Sequence, residues 1–182
     1  MSMRPNRSRI GRPTSSNRSD KHDDAKSEHL DEGARRLTWA IAAVSSRLQD
    51  LNQFWAETLG VSGPQWMILM AVDHFKTASG APVREIATKL EVDPSFVASQ
   101  SKLLEKAGFL DRSTSKEDSR VVLLSLTALA QTKILVLENR RSTLNQFVYE
   151  DLSPRELDDF VSKLTSLSKR LEKASLRLEL EA

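Results

Sequence analysis

The tightest constraint in the sequence is a link of three residues, Glu91-Val92-Asp93, between two short amphipathic segments. Before the link, Val83 to Leu90 places Ile86, Ala87 and Leu90 on one side, at the spacing of a helix face. After it, Asp93 is a favoured N-cap residue, and Pro94 falls in the first helical turn, where its missing N–H costs nothing. The second segment ends at Gly108, a residue suited to the left-handed position that follows a helix. A link this short makes the two helices cross steeply and share one apolar underside, which is the helix-turn-helix arrangement.

Past Gly108 the apolar period becomes strand-like. Phe109-Leu110-Asp111-Arg112 and Val121 to Leu126 are separated by the polar turn Ser115-Lys116-Glu117-Asp118-Ser119, which predicts a β-hairpin. Long helical patterns flank this unit. On the N-terminal side, a helix is expected from Leu30, with Leu37, Ile41, Val44, Leu48, Leu51 and Trp55 drawing one apolar stripe up to Gly60. Ser62-Gly63-Pro64-Gln65 reads as a capping box for a second helix, apolar nearly all round from Trp66 to Phe75, and Lys76 to Ala81 reads as a loop. On the C-terminal side, Thr127 caps a helix running to about Glu150. Ser153-Pro154-Arg155-Glu156 caps another, in which Leu157, Leu164, Leu171 and Leu178 recur every seven residues, with Val161 between. The fold class is therefore mainly α with a small β-hairpin wing: a six-helix winged helix-turn-helix with dimer helices from both ends of the chain.

Three regions follow. Residues 1–28 read as a disordered basic tail, 29–60 and 127–182 as dimerisation helices, and 61–126 as the winged DNA-binding lobe. The tail has almost no large apolar residues, so it cannot offset the entropy of ordering. Up to Arg18 its charges are all positive (Arg4, Arg7, Arg9, Arg12, Arg18), as in an arm that touches DNA phosphates, although a solvated tail would look the same. Within it, Gly11-Arg12-Pro13 is a fragment of a minor-groove hook that lacks the usual Arg before the Gly. In the rest of the chain, the stripe Leu37, Ile41 and the series Leu157, Val161, Leu164, Leu171, Leu178 cannot both be buried by one subunit of this size, which predicts a homodimer.

Composition excludes several chemistries. The 182 residues include no cysteine, which rules out disulfides, thiolate metal sites and cysteine redox sensing. No apolar run approaches the ~20 residues of a membrane helix, and no secretory leader pattern opens the chain, so a cytoplasmic protein is expected. The histidines show no metal-ligand spacing, and no triad or phosphate loop appears. No enzyme, cofactor or metal is expected. The net charge of +2 permits a nucleic-acid partner without requiring one, so the placement of the basic residues decides. On the second helix of the pair, Ser95, Phe96, Ser99, Gln100 and Lys102 avoid the face of Val97, Ser101 and Leu104, and they are the candidate major-groove surface. Arg112, Lys116 and Arg120 fall on the hairpin, where they would meet the phosphate backbone or the minor groove. Asp118 sits where it can pair with Arg120 and fix its direction. A winged helix that binds proteins would explain the helix pair equally well, but not the basic wing and arm.

The run Leu104-Glu105-Lys106-Ala107-Gly108-Phe109-Leu110-Asp111-Arg112, then Asp118-Ser119-Arg120, then Leu126-Thr127, resembles the signature of the MarR family. The resemblance covers the chain from about Leu30 onward. It implies a dimer built from the first, fifth and sixth helices, an operator of near-palindromic double-stranded DNA, and a small-molecule effector, often aromatic or phenolic, bound between the dimer helices and the DNA-binding lobe. A repressor released by such an effector is the expected function. Trp39, Trp66, Met67, Met70 and His74 lie on the two helices where such cavities are found, although Trp and Met at these spacings serve equally as core. The sequence departs from the family near Ser99, where an Arg is common, so no base preference carries over.

Overall fold

The computed structural model describes residues 19–75, 77 and 79–181. The basic arm with its arginines and the Gly11-Arg12-Pro13 fragment lie outside the described residues. The chain divides into two units, one ending at Gly63 and the other beginning at Pro64.

The first unit is the helix α1 (Ser19–Leu59). It starts well before Leu30, so residues 19–28 are helix rather than tail. The segment 19–28 contains neither glycine nor proline, and extending an existing helix costs far less than nucleating one. Among the described residues, α1 exposes Leu37, Trp39, Ile41, Val44 and Leu48 along its middle. Its last turns bury Trp55, Ala56 and Leu59, and Gly60 (φ +76°) ends it.

The second unit holds α2 (Gly63–Phe75), β1 (Ala81–Pro82), α3 (Val83–Leu90), α4 (Pro94–Lys106), β2 (Leu110–Thr114), β3 (Val122–Leu126), α5 (Ala128–Val148) and α6 (Pro154–Glu181). Glu91, at φ 55°, takes the left-handed position that turns α3 into α4. Asp93 caps α4 by accepting from Ser95 N–H at 2.7 Å. The core gathers Trp66, Ile68 and Leu69 of α2, Ile86 of α3, Val97 and Leu104 of α4, Leu110 and Leu124 of the sheet, and Ala130, Ile134 and Leu137 of α5.

The sheet has three antiparallel strands in the order β1-β3-β2. The expected hairpin is its β2–β3 half, with Arg112 opposite Leu124 and Thr114 opposite Val122. The third strand is new: Ala81 and Pro82, read from sequence as loop end and helix start, pair with Leu124 and Leu123. Pro82 fits because β1 is an edge strand and needs no N–H on its outer side. Gly80 (φ +88°) makes the close approach possible, since a Cβ there would lie 3.0 Å from the Leu124 carbonyl oxygen.

The two C-terminal helices start as the caps require. Ser153 Oγ lies 3.3 Å from Glu156 N–H, while the Glu156 carboxylate reaches back to Ser153 N–H at 2.9 Å. Hydrogen bonding to the Ser153 side chain and backbone lowers the Glu156 pKa from its ordinary value. Among the described residues no helix is long and apolar enough to cross a membrane.

Thr127 closes the lobe. Its hydroxyl accepts from Ala130 N–H at 3.1 Å and donates to the Gly108 carbonyl at 2.7 Å, and its own N–H donates to the Phe109 carbonyl at 3.1 Å. One residue thus caps α5 and ties it to the end of α4. Replacing Thr127 with Ala should cost about 1–2 kcal/mol in urea unfolding at fixed protein concentration, and Thr127→Ser should recover most of it.

Candidate nucleic-acid interface

Helix α4 buries Val97, Ser101 and Leu104 and turns Ser95, Phe96, Ser99 and Lys102 outward. Phe96, a large apolar side chain in the first turn, stays 38% exposed, and nothing in the lobe requires it to be. Ser99 donates to the Phe96 carbonyl at 2.9 Å, leaving its oxygen outward as an acceptor. Gln100 is half-buried, and its side-chain oxygen accepts from Gln65 of α2 at 3.3 Å. Its amide N–H groups remain for an outside partner.

On the wing, Lys116 stands exposed on the turn. Arg120 is 89% exposed at its side chain and forms a two-point pair with Asp118, Nε to Oδ1 at 3.1 Å and Nη2 to Oδ2 at 3.2 Å. Asp118 also accepts from the backbone N–H of Arg120 at 3.0 Å. These bonds from Arg120, side chain first and then backbone, lower the Asp118 pKa from its ordinary value. The carboxylate therefore stays charged at neutral pH. An exposed pair of this kind adds little stability, but it fixes the direction of a long side chain.

Arg112 differs from expectation. Its place on the hairpin predicts a cation that meets DNA, whereas its side chain is 14% exposed and turned toward α4. One guanidinium nitrogen donates to the Ser101 hydroxyl and reaches the Ala98 carbonyl at 3.4 Å, and Nε lies 3.6 Å from the Glu105 carboxylate. The alternation of β2 explains this: Arg112 is two residues from the buried Leu110 and shares its inner face. Arg112 also lines a cleft of about 430 Å³ together with Arg84, Pro94, Ser95, Arg120 and Val122.

Arg84 is the residue that sequence reasoning missed. It is exposed on the first turn of α3, beside the start of α4 and facing the same cleft. A cation in the opening turn of the first helix of the pair is the signal that could have found it.

The remaining expected site residues are spread. Trp39 is 75% exposed on α1, in the first unit. On α2, Trp66 is buried, Met70 half-buried, Met67 and His74 exposed. Among the described residues, no group of three or more histidine or carboxylate side chains is placed to hold a metal ion.

Two short helices joined by a three-residue turn with Glu91 in the left-handed conformation, an outward polar second helix and a three-stranded sheet define a winged helix-turn-helix protein. The model of the MarR family matches residues 61–122. An HTH-type transcriptional regulator of Bacillus subtilis (strain 168), YfiV, is 31% identical over 150 residues, covering 81% of this chain and 91% of its own. The chain belongs to the MarR family and is a transcriptional regulator rather than an enzyme. Two solved structures share its fold at low identity. The S. aureus MepR–DNA complex has a TM-score of 0.61 at 16% identity, over 73% of this chain and 96% of that one. CouR from Rhodococcus jostii RHA1, bound to p-coumaroyl-CoA, has a TM-score of 0.63 at 17% identity, over 72% and 90%.

The position of Arg112 makes it a positioning residue for the wing. Arg112→Met should destabilise the protein by about 2 kcal/mol, the cost of stripping a part-buried charged network of one member. It should also speed amide hydrogen exchange in β2. Exchange rates equal to those of the parent protein would show that the wing holds its place without Arg112.

Proposed function

We propose that this regulator is a homodimeric repressor that binds a near-palindromic operator in double-stranded DNA and is released by a small organic effector. The observation that carries the DNA mode is the common outward aspect of two groups. Ser95, Phe96, Ser99 and Lys102 lie on the free face of α4, and Arg120 stands on the wing with its direction set by Asp118. In this reading α4 enters the major groove. Ser99 and the free amide of Gln100 reach base edges, Phe96 offers an apolar face for a thymine methyl, and Lys102 meets a phosphate. Arg120 enters the flanking minor groove and Lys116 meets the backbone. Arg84 adds a cation at the cleft mouth, whereas Arg112 acts from behind by holding the wing. MepR, which shares the fold, has been seen in complex with DNA, and this supports the same use of the lobe here.

Dimerisation rests on unspent apolar surface. Among the described residues α6 buries none of its side chains, and it exposes Val161, Leu164, Leu171 and Leu178, while Leu157 is half-buried. Leu37 and Ile41 of α1 are exposed as well. A 28-residue helix with an uncovered apolar stripe is favourable only against another surface. Two copies would place their α4 helices about one DNA turn apart, ~10 bp between half-site centres, as a palindrome requires. The effector is the third part of the proposal. CouR is bound to p-coumaroyl-CoA, and the aromatic and thioether side chains Trp66, Met67 and Met70 of α2, with His74 at its end, support a similar aromatic ligand here.

Selection of genomic fragments by the purified protein, followed by sequencing, tests the operator. Arg120→Ala should weaken binding to all recovered sites by a similar factor and lower the slope of log affinity against log salt by about 1, measured by fluorescence anisotropy. An unchanged slope would remove Arg120 from the interface. Replacing Leu164 and Leu171 together with Glu should give a monomer in sedimentation at micromolar concentration and should lower operator affinity with it. A parent protein already monomeric at that concentration would sink the dimer.

A further inference from the structure

One side chain of the α4 reading surface has its direction set from another helix. Gln100 lies three residues after Val97 and four before Leu104, both fully buried, so it stands half-buried at the rim of the inner face of α4. There its side-chain oxygen accepts from Nε2 of Gln65 at 3.3 Å. Gln65 belongs to the first turn of α2, next to the buried Trp66 and just ahead of Ile68 and Leu69, both fully buried. Each end of the bond is therefore carried by a helix that buried neighbours hold in place. A side-chain amide is planar, with an acceptor oxygen on one arm and two N–H donors on the other. With the oxygen of Gln100 aimed at α2, its NH2 is the arm left for an outside partner, and among the described residues that NH2 donates to nothing.

We propose that Gln65 is a positioning residue that makes Gln100 a reader of guanine. The inference rests on the DNA mode given above, with α4 in the major groove, and names the base read and the residue that sets the readout. A glutamine free to turn presents its oxygen and its NH2 side by side. That pair matches adenine, which offers the N6 donor beside the N7 acceptor. Gln100, tied by its oxygen, presents donors alone. Guanine matches donors alone, because its N7 and O6 are adjacent acceptors. Cytosine matches worst, since its N4 donor opposes the NH2. The tie also holds Gln100 in one rotamer before DNA arrives, which lowers the ordering cost of the contact. Neither residue announces this in the sequence, where the two are 35 positions apart.

The test uses the full-length protein and a selected operator in which each half-site position is varied through the four base pairs, with affinities from fluorescence anisotropy. Gln100→Ala locates the position read, as the one where the base preference of the parent protein is lost. There the parent should favour guanine over adenine by about fivefold or more. A preference is a ratio of two affinities, so a variant that merely loosens the lobe weakens both sites and leaves the ratio in place. Gln65→Lys, which still donates toward the Gln100 oxygen, should keep the guanine preference. Gln65→Leu, which frees the amide to turn, should shift it toward adenine. Gln65→Glu, which only accepts, should draw the NH2 inward and leave the oxygen facing the base, so that guanine loses its advantage to adenine and cytosine. A parent preference for adenine at this position overturns the positioning role and leaves Gln100 a base reader. So does a guanine preference that survives in Gln65→Leu or Gln65→Glu, or an equal loss in Gln65→Lys and Gln65→Glu. If Gln100→Ala leaves every base preference intact, Gln100 reads no base, and the inference falls together with that part of the DNA mode.

Discussion

The wing stands where it does because one guanidinium spans from the inner face of β2 to the middle of α4. A two-stranded ribbon alone is marginal in water, and it becomes stable only with a further strand or a helix to pack on. Here it has both: β1 pairs with β3 on one edge, and Arg112 binds Ala98, Ser101 and Glu105 on the other side. The fully buried Ser101 is polar because Arg112 needs an acceptor there, and Glu105 offsets the charge that burial would otherwise penalise. The consequence is geometric. The outward face of α4 and the strands that carry Arg120 are tied through one network, so in the proposed reading the major-groove and minor-groove contacts would come at a set separation.

The parts of this fold legible in the sequence are those specified locally. Asp93, Thr127 and Ser153 cap the helices they were expected to cap because a cap needs only its own side chain and the next three residues. Gly108, at φ +76°, marks its helix end for the same reason. β1 was not legible: two residues, one a proline, carry no period, and their strand character comes wholly from Leu123 and Leu124 across the sheet. The start of α1 was missed because a polar composition was read as disorder although nothing in it breaks a helix. Arg112 could have been placed correctly, since the alternation that sends Leu110 inward sends Arg112 with it. Charge type alone points the side chain outward, whereas the strand period points it inward. Arg84 carries a sequence signal in its place on the first turn of α3, and only the cleft it shares with Ser95 and Arg120 needed the fold itself.

The distribution of buried surface divides the second unit by task. Helices α2 to α4 and the sheet bury or half-bury most of their large apolar residues in the lobe, with Met67, Phe96 and Leu103 left exposed, while α6 buries none among its described residues. Helix α5 lies between these extremes. Ala130, Ile134 and Leu137 make one buried face at spacings of four and three, while Leu135 and Val136 stand about 70% exposed on the other side. A helix with one face committed to a core and the other free is suited to join a DNA-binding lobe to whatever covers its outer side.

That division gives a physical route for regulation. Thr127, the N-cap of α5, ties the start of that helix to the end of α4, and α5 contains neither glycine nor proline, so a displacement of its far half is carried to its near half. The near end is bound to Gly108 and Phe109, two of the three residues between α4 and β2. In the proposed reading, a tilt there would carry α4 and the Arg112-tied wing together, and in a dimer it would change the separation of the two α4 helices rather than the surface each presents to DNA. The effector would then act on the spacing of half-sites and not on the reading of bases, and would inhibit only by as much as it prefers the incompatible spacing. Couplings of this kind are worth about 1–3 kcal/mol, or 5–150-fold in affinity, and operator DNA must weaken effector binding by the same factor.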